Sequence, residues 1–272
     1  MAREKPIALV TGASSGLGQE TALALARAGY QVFGTSRQPH PHPSEAVEMV
    51  ALDVRDDRSV AACIETVLAG ARRIDLLVNN AGILIVAPAE ETSDEAARNL
   101  FETNFWGVVR ITNAVLPSMR AQRSGRIVNI SSLAGLMAGP GEAFYCASKY
   151  ALEAYTEALF YELAPFGIHV SLVEPGFFRS ALFPEATEGT IPDYDALRRQ
   201  SQRFMRRSIE AGSDPAVVGR QIARIAQQRA PRLRYPVGLD AILFPRVAAL
   251  LPDRLLRWGV RWVMGLPAWP RR

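Results

Sequence analysis

Short, wholly apolar runs alternate along this chain with longer segments whose apolar residues recur at helical spacing. Ile7-Ala8-Leu9-Val10 is the first run and reads as a buried strand. Leu17, Thr21, Ala22, Leu25 and Ala26 then repeat with the period of one helix face, and Gly29 stands where a helix cap is expected. The same alternation predicts strands over 31–35, 47–52, 76–78, 126–130, 169–173 and 234–236. It predicts helices over 57–70, 93–99, 102–122 and 145–165. Strands that are apolar on both faces need cover on both faces, so the fold class is α/β, a doubly wound parallel sheet of about seven strands. Prolines at 39, 41 and 43 leave 38–44 as an irregular loop.

A composition of 49% hydrophobic and 21% charged residues suits one large core. No composition break divides the sheet pattern, so 1–238 is expected to be one domain with a substrate lid at about 177–212, and 239–272 a helical C-terminal extension. No stretch reaches the roughly 18 apolar residues of a membrane span, and no leader pattern precedes the first strand. Cys63 and Cys146 both fall in helical patterns and read as buried thiols of a reducing compartment. A cytoplasmic location is expected. The net charge of +4 is concentrated in arginine clusters such as Arg198-Arg199, Arg206-Arg207 and Arg254, Arg257, Arg261. Interleaved aromatics and Cys/His metal spacing are missing, which excludes a nucleic-acid module. His40 and His42 lie in the proline loop without cysteine or carboxylate company and read as solvent-exposed, so no metal is expected.

Chemistry-bearing residues gather at strand ends. The first strand runs into Gly12-Ala13-Ser14-Ser15-Gly16-Leu17-Gly18 and then into a helix. Glycines there allow a tight turn and close backbone approach, and the helix N-terminus offers free N–H groups to a pyrophosphate, as in Rossmann folds. The second strand ends in Ser36-Arg37, where an acidic residue would bind a ribose 2′-hydroxyl. A hydroxyl and a cation suit a 2′-phosphate instead, which selects NADP(H). The fourth strand ends in Asn79-Asn80-Ala81-Gly82, a turn beside the same crevice, and Asn104 sits in a helix among Phe105, Trp106, Val108 and Val109. A helix-interior Asn in apolar company is either satisfied or functional.

Tyr145 and Lys149 stand one helical turn apart on one face. An ammonium close to a phenol favours the phenolate and draws its pKa below the usual value near 10. The pair is thus a general acid/base for neutral pH. Ser131-Ser132 close the fifth strand just ahead of it.

On these motifs, in this order from about residue 7 to 236, the chain resembles the short-chain dehydrogenase/reductase family. The resemblance implies a catalytic set of Asn104, Ser132, Tyr145 and Lys149. It implies cofactor contacts from Gly12, Ser14, Ser15, Gly16, Leu17, Gly18, Ser36, Arg37, Asp53, Val54, Asn80, Ala81, Gly82, Tyr145 and Lys149. Pro175, Gly176, Phe178 and Ser180 would cover the nicotinamide, with Ser180 where the family usually has Thr. Hydride passes between nicotinamide C4 and a carbonyl or carbinol carbon. Tyr145 handles the proton, Ser132 polarises the oxygen, and Lys149 lowers the tyrosine pKa and holds the ribose. Asn104 positions a relay water. The family pairs subunits through its two long helices, here 102–122 and 145–165, so a homodimer or homotetramer is expected.

The Thr-Ser-Arg strand end and the Tyr-Cys-Ala-Ser-Lys helix look most like the 17β-hydroxysteroid and retinol dehydrogenase-like branch. That branch handles bulky lipophilic alcohols and ketones, and Leu133, Leu136, Phe177, Phe183 and Phe204 are the expected substrate-binding residues. Two alternatives are a 3-oxoacyl-type reductase, docking an acyl carrier on arginines 198–207, and a non-catalytic NADP(H)-binding sensor. Wound as a helix, the tail places Arg254, Arg257 and Arg261 on one face and Leu255, Leu256, Trp262, Val263 and Leu266 on the other. Such a helix covers the pocket, packs on a partner subunit, or makes peripheral contact with a membrane.

Overall fold

The computed structural model describes residues 5–42, 44–179 and 191–266. Strand β1 (Ile7–Val10) leads into α1 (Gly16–Arg27), β2 (Gln31–Ser36), β3 (Val47–Ala51), α2 (Asp57–Ala71) and β4 (Leu76–Asn79). Helices α3 (Asp94–Phe101) and α4 (Gly107–Gln122) precede β5 (Gly125–Ile130), α5 (Ala143–Leu163) and β6 (Ile168–Pro175). Then come α6 (Asp195–Glu210), α7 (Ala216–Gln227), β7 (Arg234–Val237), α8 (Leu239–Leu250) and α9 (Asp253–Met264). The strands form one sheet in the order β3-β2-β1-β4-β5-β6-β7, every neighbouring pair parallel. Strand order reverses between β1 and β4, and a ligand crevice opens beyond strand C-termini at such a point.

Side chains of a strand alternate between faces, and here each face has its own core. Ala8, Val10, Leu76 and Val78 pack with Ala22 and Leu25 of α1 and Val218, Ile222 and Ile225 of α7. Ile7, Leu9 and Leu77 point the other way, into Val60, Ile64 and Val67 of α2, Ile111, Val115 and Met119 of α4, and Leu159 of α5. A buried polar ladder crosses the second layer. The Asn79 amide donates to Asn129 at 2.8 Å and Thr112 at 3.1 Å, and Asn129 donates to Thr156 at 2.9 Å. It fixes α5 and its tyrosine against the ends of β4 and β5.

Two elements differ from expectation. The helices expected at 93–99 and 102–122 are one continuous run, joined through a π-helical turn at Glu102–Trp106. Such turns mark places where a side chain is aimed at a specific task, and this one turns Asn104 fully inward. The tail forms two helices because Pro252 has no N–H to continue α8 and holds the preceding Leu251 in extended backbone (ψ 140°).

Beneath α5, Arg234 of β7 pairs with Glu153, with Glu157 at 2.8 Å and with Glu174 at 3.0 Å. Glu153 and Glu174 are almost fully buried, and burial pushes both carboxyls up, Glu174 to about 7. Removing the cation strands two buried carboxylates. Arg234→Met is therefore expected to lose about 3 kcal/mol of unfolding free energy at pH 7.5. A carboxyl whose folded pKa lies above its unfolded value is stabilised when protonated, so the deficit should shrink as pH falls toward 5. Urea unfolding at both pH values checks this; a loss under about 0.5 kcal/mol, or one independent of pH, contradicts it.

Candidate active site

The turn after β1 is held from two sides. Asn80, at the end of β4, donates its side-chain amide to the carbonyls of Thr11 (2.9 Å) and Gly12 (3.0 Å). The Thr11 hydroxyl accepts from the backbone N–H of Asn80 and Ala81 at 2.9 and 3.0 Å. Gly12 adopts φ +66°, and a Cβ on Gly18 would collide with the Gly12 carbonyl and the Asn80 amide. Only glycine allows so close an approach of helix, turn and strand end.

This turn forms one wall of a groove of about 890 Å³. Gly12, Ser14, Ser15, Gly16, Leu17 and Gly18 line it, with Ser36 and Arg37, Asp53 and Val54, Asn80 to Gly82, and Tyr145 and Lys149. The Ser36 hydroxyl is buried there without a hydrogen-bond partner among the described residues. That orphaned group and the side-chain-free cradle fit a phosphate-bearing dinucleotide. Arg55, not singled out from sequence, grips both oxygens of Asp53 at 3.0 and 2.7 Å and reaches Asn99 at 2.7 Å. It holds the Asp53 carboxyl below its usual range, with a smaller push from the charge of Arg37. The acid expected at the adenine is thus already engaged.

At the far end of the groove stand the four residues expected to be catalytic. Lys149 is buried and donates from Nζ to the Ile130 carbonyl at 2.8 Å, while Nζ lies 5.9 Å from the centre of the Tyr145 ring. Ser132 accepts the N–H of Ala134 at 3.1 Å, and its hydroxyl contacts the Tyr145 phenol. Asn104 clamps the backbone of Ile83, donating to its carbonyl at 2.9 Å and accepting its N–H at 2.8 Å, and it donates to Ser148 at 3.3 Å. Its amide locks the strand-end turn to the helix that carries Tyr145.

The expectation that Lys149 draws down the Tyr145 pKa is not met. Desolvation dominates and pushes the phenol well above its ordinary value, with Ser132 the favourable contact and the charge of Glu142 adding to the rise. Burial also lowers Lys149, to about 8. The surroundings therefore favour the neutral phenol over the phenolate.

A second, apolar cavity of about 360 Å³ meets the groove at Leu17, Ser131 and Tyr145. Leu133, Phe177 and Phe204 line it as expected, Phe177 and Phe204 touching edge to face at 5.9 Å. Leu136 does not line it. The chain leaves a short 3-10 turn there, and neighbouring Met137 takes its place. Pro175, Gly176 and Phe178, expected against the cofactor, line this cavity. The loop after β6 is drawn toward α8 by Asp240, whose carboxylate accepts the Phe177 N–H at 2.6 Å, and Phe178 joins the core around Val218. Ser180 and Phe183 lie outside the described residues. Much of the remaining wall comes from α8, α9 and the turn between them, through Val247, Leu251, Leu256, Val260 and Val263. Glu142 was also missed from sequence, although a lone acid three residues ahead of Tyr145 among apolar neighbours was a visible signal.

The profile of the short chain dehydrogenase family matches residues 6–190. The chain belongs to that family. It is 39% identical over 261 residues to 3-ketodihydrosphingosine reductase of Bacteroides thetaiotaomicron, covering 94% of this chain and 96% of that one. It is 36% identical over 306 residues to retinol dehydrogenase 8 of Bos taurus, covering 97% of each. A solved short-chain dehydrogenase from Streptomyces avermitilis superposes with a TM-score of 0.80 at 35% identity, over 96% of this chain and 97% of that one. The family's proteins are oxidoreductases, and solved members bind NADH or NADP.

Proposed function

We propose that the protein is an NADP(H)-dependent oxidoreductase that interconverts a ketone and a secondary alcohol on a lipophilic substrate. The observation that carries this reading is the place of Tyr145, which lines both the polar groove and the apolar cavity. The glycine turn, Ser36 and Arg37 would hold the dinucleotide, and Lys149 its nicotinamide ribose. When bound, the nicotinamide supplies or accepts the hydride at the carbonyl carbon. Tyr145 delivers its phenolic proton to the substrate oxygen as negative charge grows there, and the Ser132 hydroxyl stabilises that charge. The apolar walls keep water from both.

Arg37 makes no hydrogen bond or ion pair among the described residues, and with the orphaned Ser36 hydroxyl it suits a 2′-phosphate. The relatives' names, 3-ketodihydrosphingosine reductase and retinol dehydrogenase 8, support a lipophilic substrate. An acyl carrier on arginines 198–207 is less well supported, since Arg198 is drawn inward by Glu91 at 2.6 Å and Asp195 at 2.7 Å. Exposed Trp106, Tyr150 and Tyr161 on the long helices suit a homodimer or homotetramer.

Steady-state kinetics over a panel of steroid, retinoid and long-chain carbonyls tests the assignment. Tyr145→Phe should lower kcat at least ~100-fold while NADPH still binds. Arg37→Ala should cost ~10–100-fold in kcat/KM for NADPH and little for NADH, the loss of one charge-assisted contact. Full activity in the first variant contradicts the mechanism, and a parent enzyme that prefers NADH contradicts the cofactor.

No described helix is long and apolar enough to cross a membrane. Helices α8 and α9 nevertheless leave Leu239, Leu250, Trp258 and Trp262 between 66% and 85% exposed, with Arg246 and Arg254 nearby in the sequence. Exposed tryptophans beside arginines suit an anionic lipid surface. Full-length protein should sediment with vesicles of phosphatidylserine and phosphatidylcholine, and a Trp258→Glu, Trp262→Glu double variant should lose most of that binding. Equal sedimentation of the two contradicts the contact.

A further inference from the structure

The apolar cavity holds one acid. Apart from Tyr145, Glu142 is the only ionisable residue in its wall among the described residues. It is nine-tenths buried and sits at the N-cap of α5, yet its side chain caps nothing. Its carboxyl makes no hydrogen bond and no ion pair among the described residues, and burial pushes it up to about 7.

That isolation sets it apart. The other buried acids, Glu153 and Glu174, share Arg234. A carboxyl taken out of water without a partner costs stability, and nothing in the fold repays it at this position. It does face the space in which substrate would lie.

Its distance from the chemistry is set by the helix. Glu142 is the N-cap and Tyr145 the third residue of α5, so the two lie within one turn of each other and both line the cavity. A group reaching Glu142 from a ketone held at Tyr145 therefore sits close to the carbonyl. The electrostatics couple as well, because the charge of Glu142 disfavours the Tyr145 phenolate. A cation on Glu142 would cancel that effect as Tyr145 gives up its proton.

We propose that Glu142 is the specificity-determining residue of the cavity, and that the substrate is a long-chain ketone carrying a protonated amine close to the reacting carbonyl. This rests on the reductase reading above. The ammonium donates to the carboxylate, the carbonyl oxygen meets Tyr145 and Ser132, and the alkyl chain fills the space walled by Phe177, Phe204 and α9.

The test compares three ketones of equal chain length with NADPH, bearing an amino group, a hydroxyl or hydrogen beside the carbonyl. In parallel, calorimetry measures decylammonium and decanol binding to the NADP⁺-loaded enzyme. The parent should favour the amino ketone over the unsubstituted one by at least ~10-fold in kcat/KM, the effect of one hydrogen bond between charged groups. Glu142→Gln should bring that ratio to within ~3-fold, and Glu142→Asp should keep part of it. A ratio near one in the parent, or one unchanged in Glu142→Gln, overturns the proposal. So does a preference for the hydroxy ketone that Glu142→Gln abolishes, which would assign the site to a neutral donor. If no ketone is reduced, the reductase reading fails on its own. The cation site then still stands if decylammonium binds the parent at least ~10-fold more tightly than Glu142→Gln, and falls if the two bind alike.

Discussion

The ammonium of Lys149 is buried in the wall of the groove, and among the described residues its hydrogen bond goes to the Ile130 carbonyl. A buried charge must find a partner, and this one ties the middle of α5 to the end of β5. Everything near the chemistry follows from that tie. It sets Tyr145, one turn earlier, over the C-terminal edge of the sheet, beside Ser132 at the end of the same strand. The Asn79–Asn129–Thr156 ladder and the Asn104 clamp on Ile83 hold the same helix from two further directions. The result is a phenol fixed at the junction of a polar groove and an apolar cavity.

The same demand for partners explains how the charges are distributed. Glu153 and Glu174 tolerate burial because Arg234 lies between them. Asp53 stays ionised because Arg55 holds it. Tyr145 has no such help in this state, so desolvation wins and the phenol keeps its proton. The same burial makes it a weaker acid, so a donor that works near neutral pH needs a positive charge beside it. A cationic nicotinamide beside it, or a cation on Glu142, would shift the balance toward phenolate.

Much of this was legible in the sequence, for physical reasons. Strands buried on both faces must be continuously apolar, so Ile7-Ala8-Leu9-Val10 and Leu76-Leu77-Val78 declared themselves. A phosphate cradle must be nearly free of side chains, so Gly12, Gly16 and Gly18 did too. The side of the site that faces substrate was less legible, because it is assembled from distant segments. The directions of Phe178 and Leu136 were not legible, since they depend on a bond from Asp240 and on where a 3-10 turn ends, neither of which leaves a periodic trace. The cavity wall formed by the two tail helices depends on packing against distant segments such as those of Phe177 and Phe204. Glu142 was in plain view but has no meaning until its neighbours are known to be apolar.

The central claim is that the groove and the cavity meet at Tyr145 so that hydride and proton are delivered to one carbonyl. Following the hydride tests it most directly. The enzyme is given NADPH carrying deuterium at nicotinamide C4, in each of the two stereochemical forms, with the best ketone from the panel, and the alcohol is examined by mass spectrometry. The account predicts that one form places a single deuterium on the carbinol carbon and the other places none. Alcohol without deuterium from either form, or deuterium from both in equal measure, would contradict it.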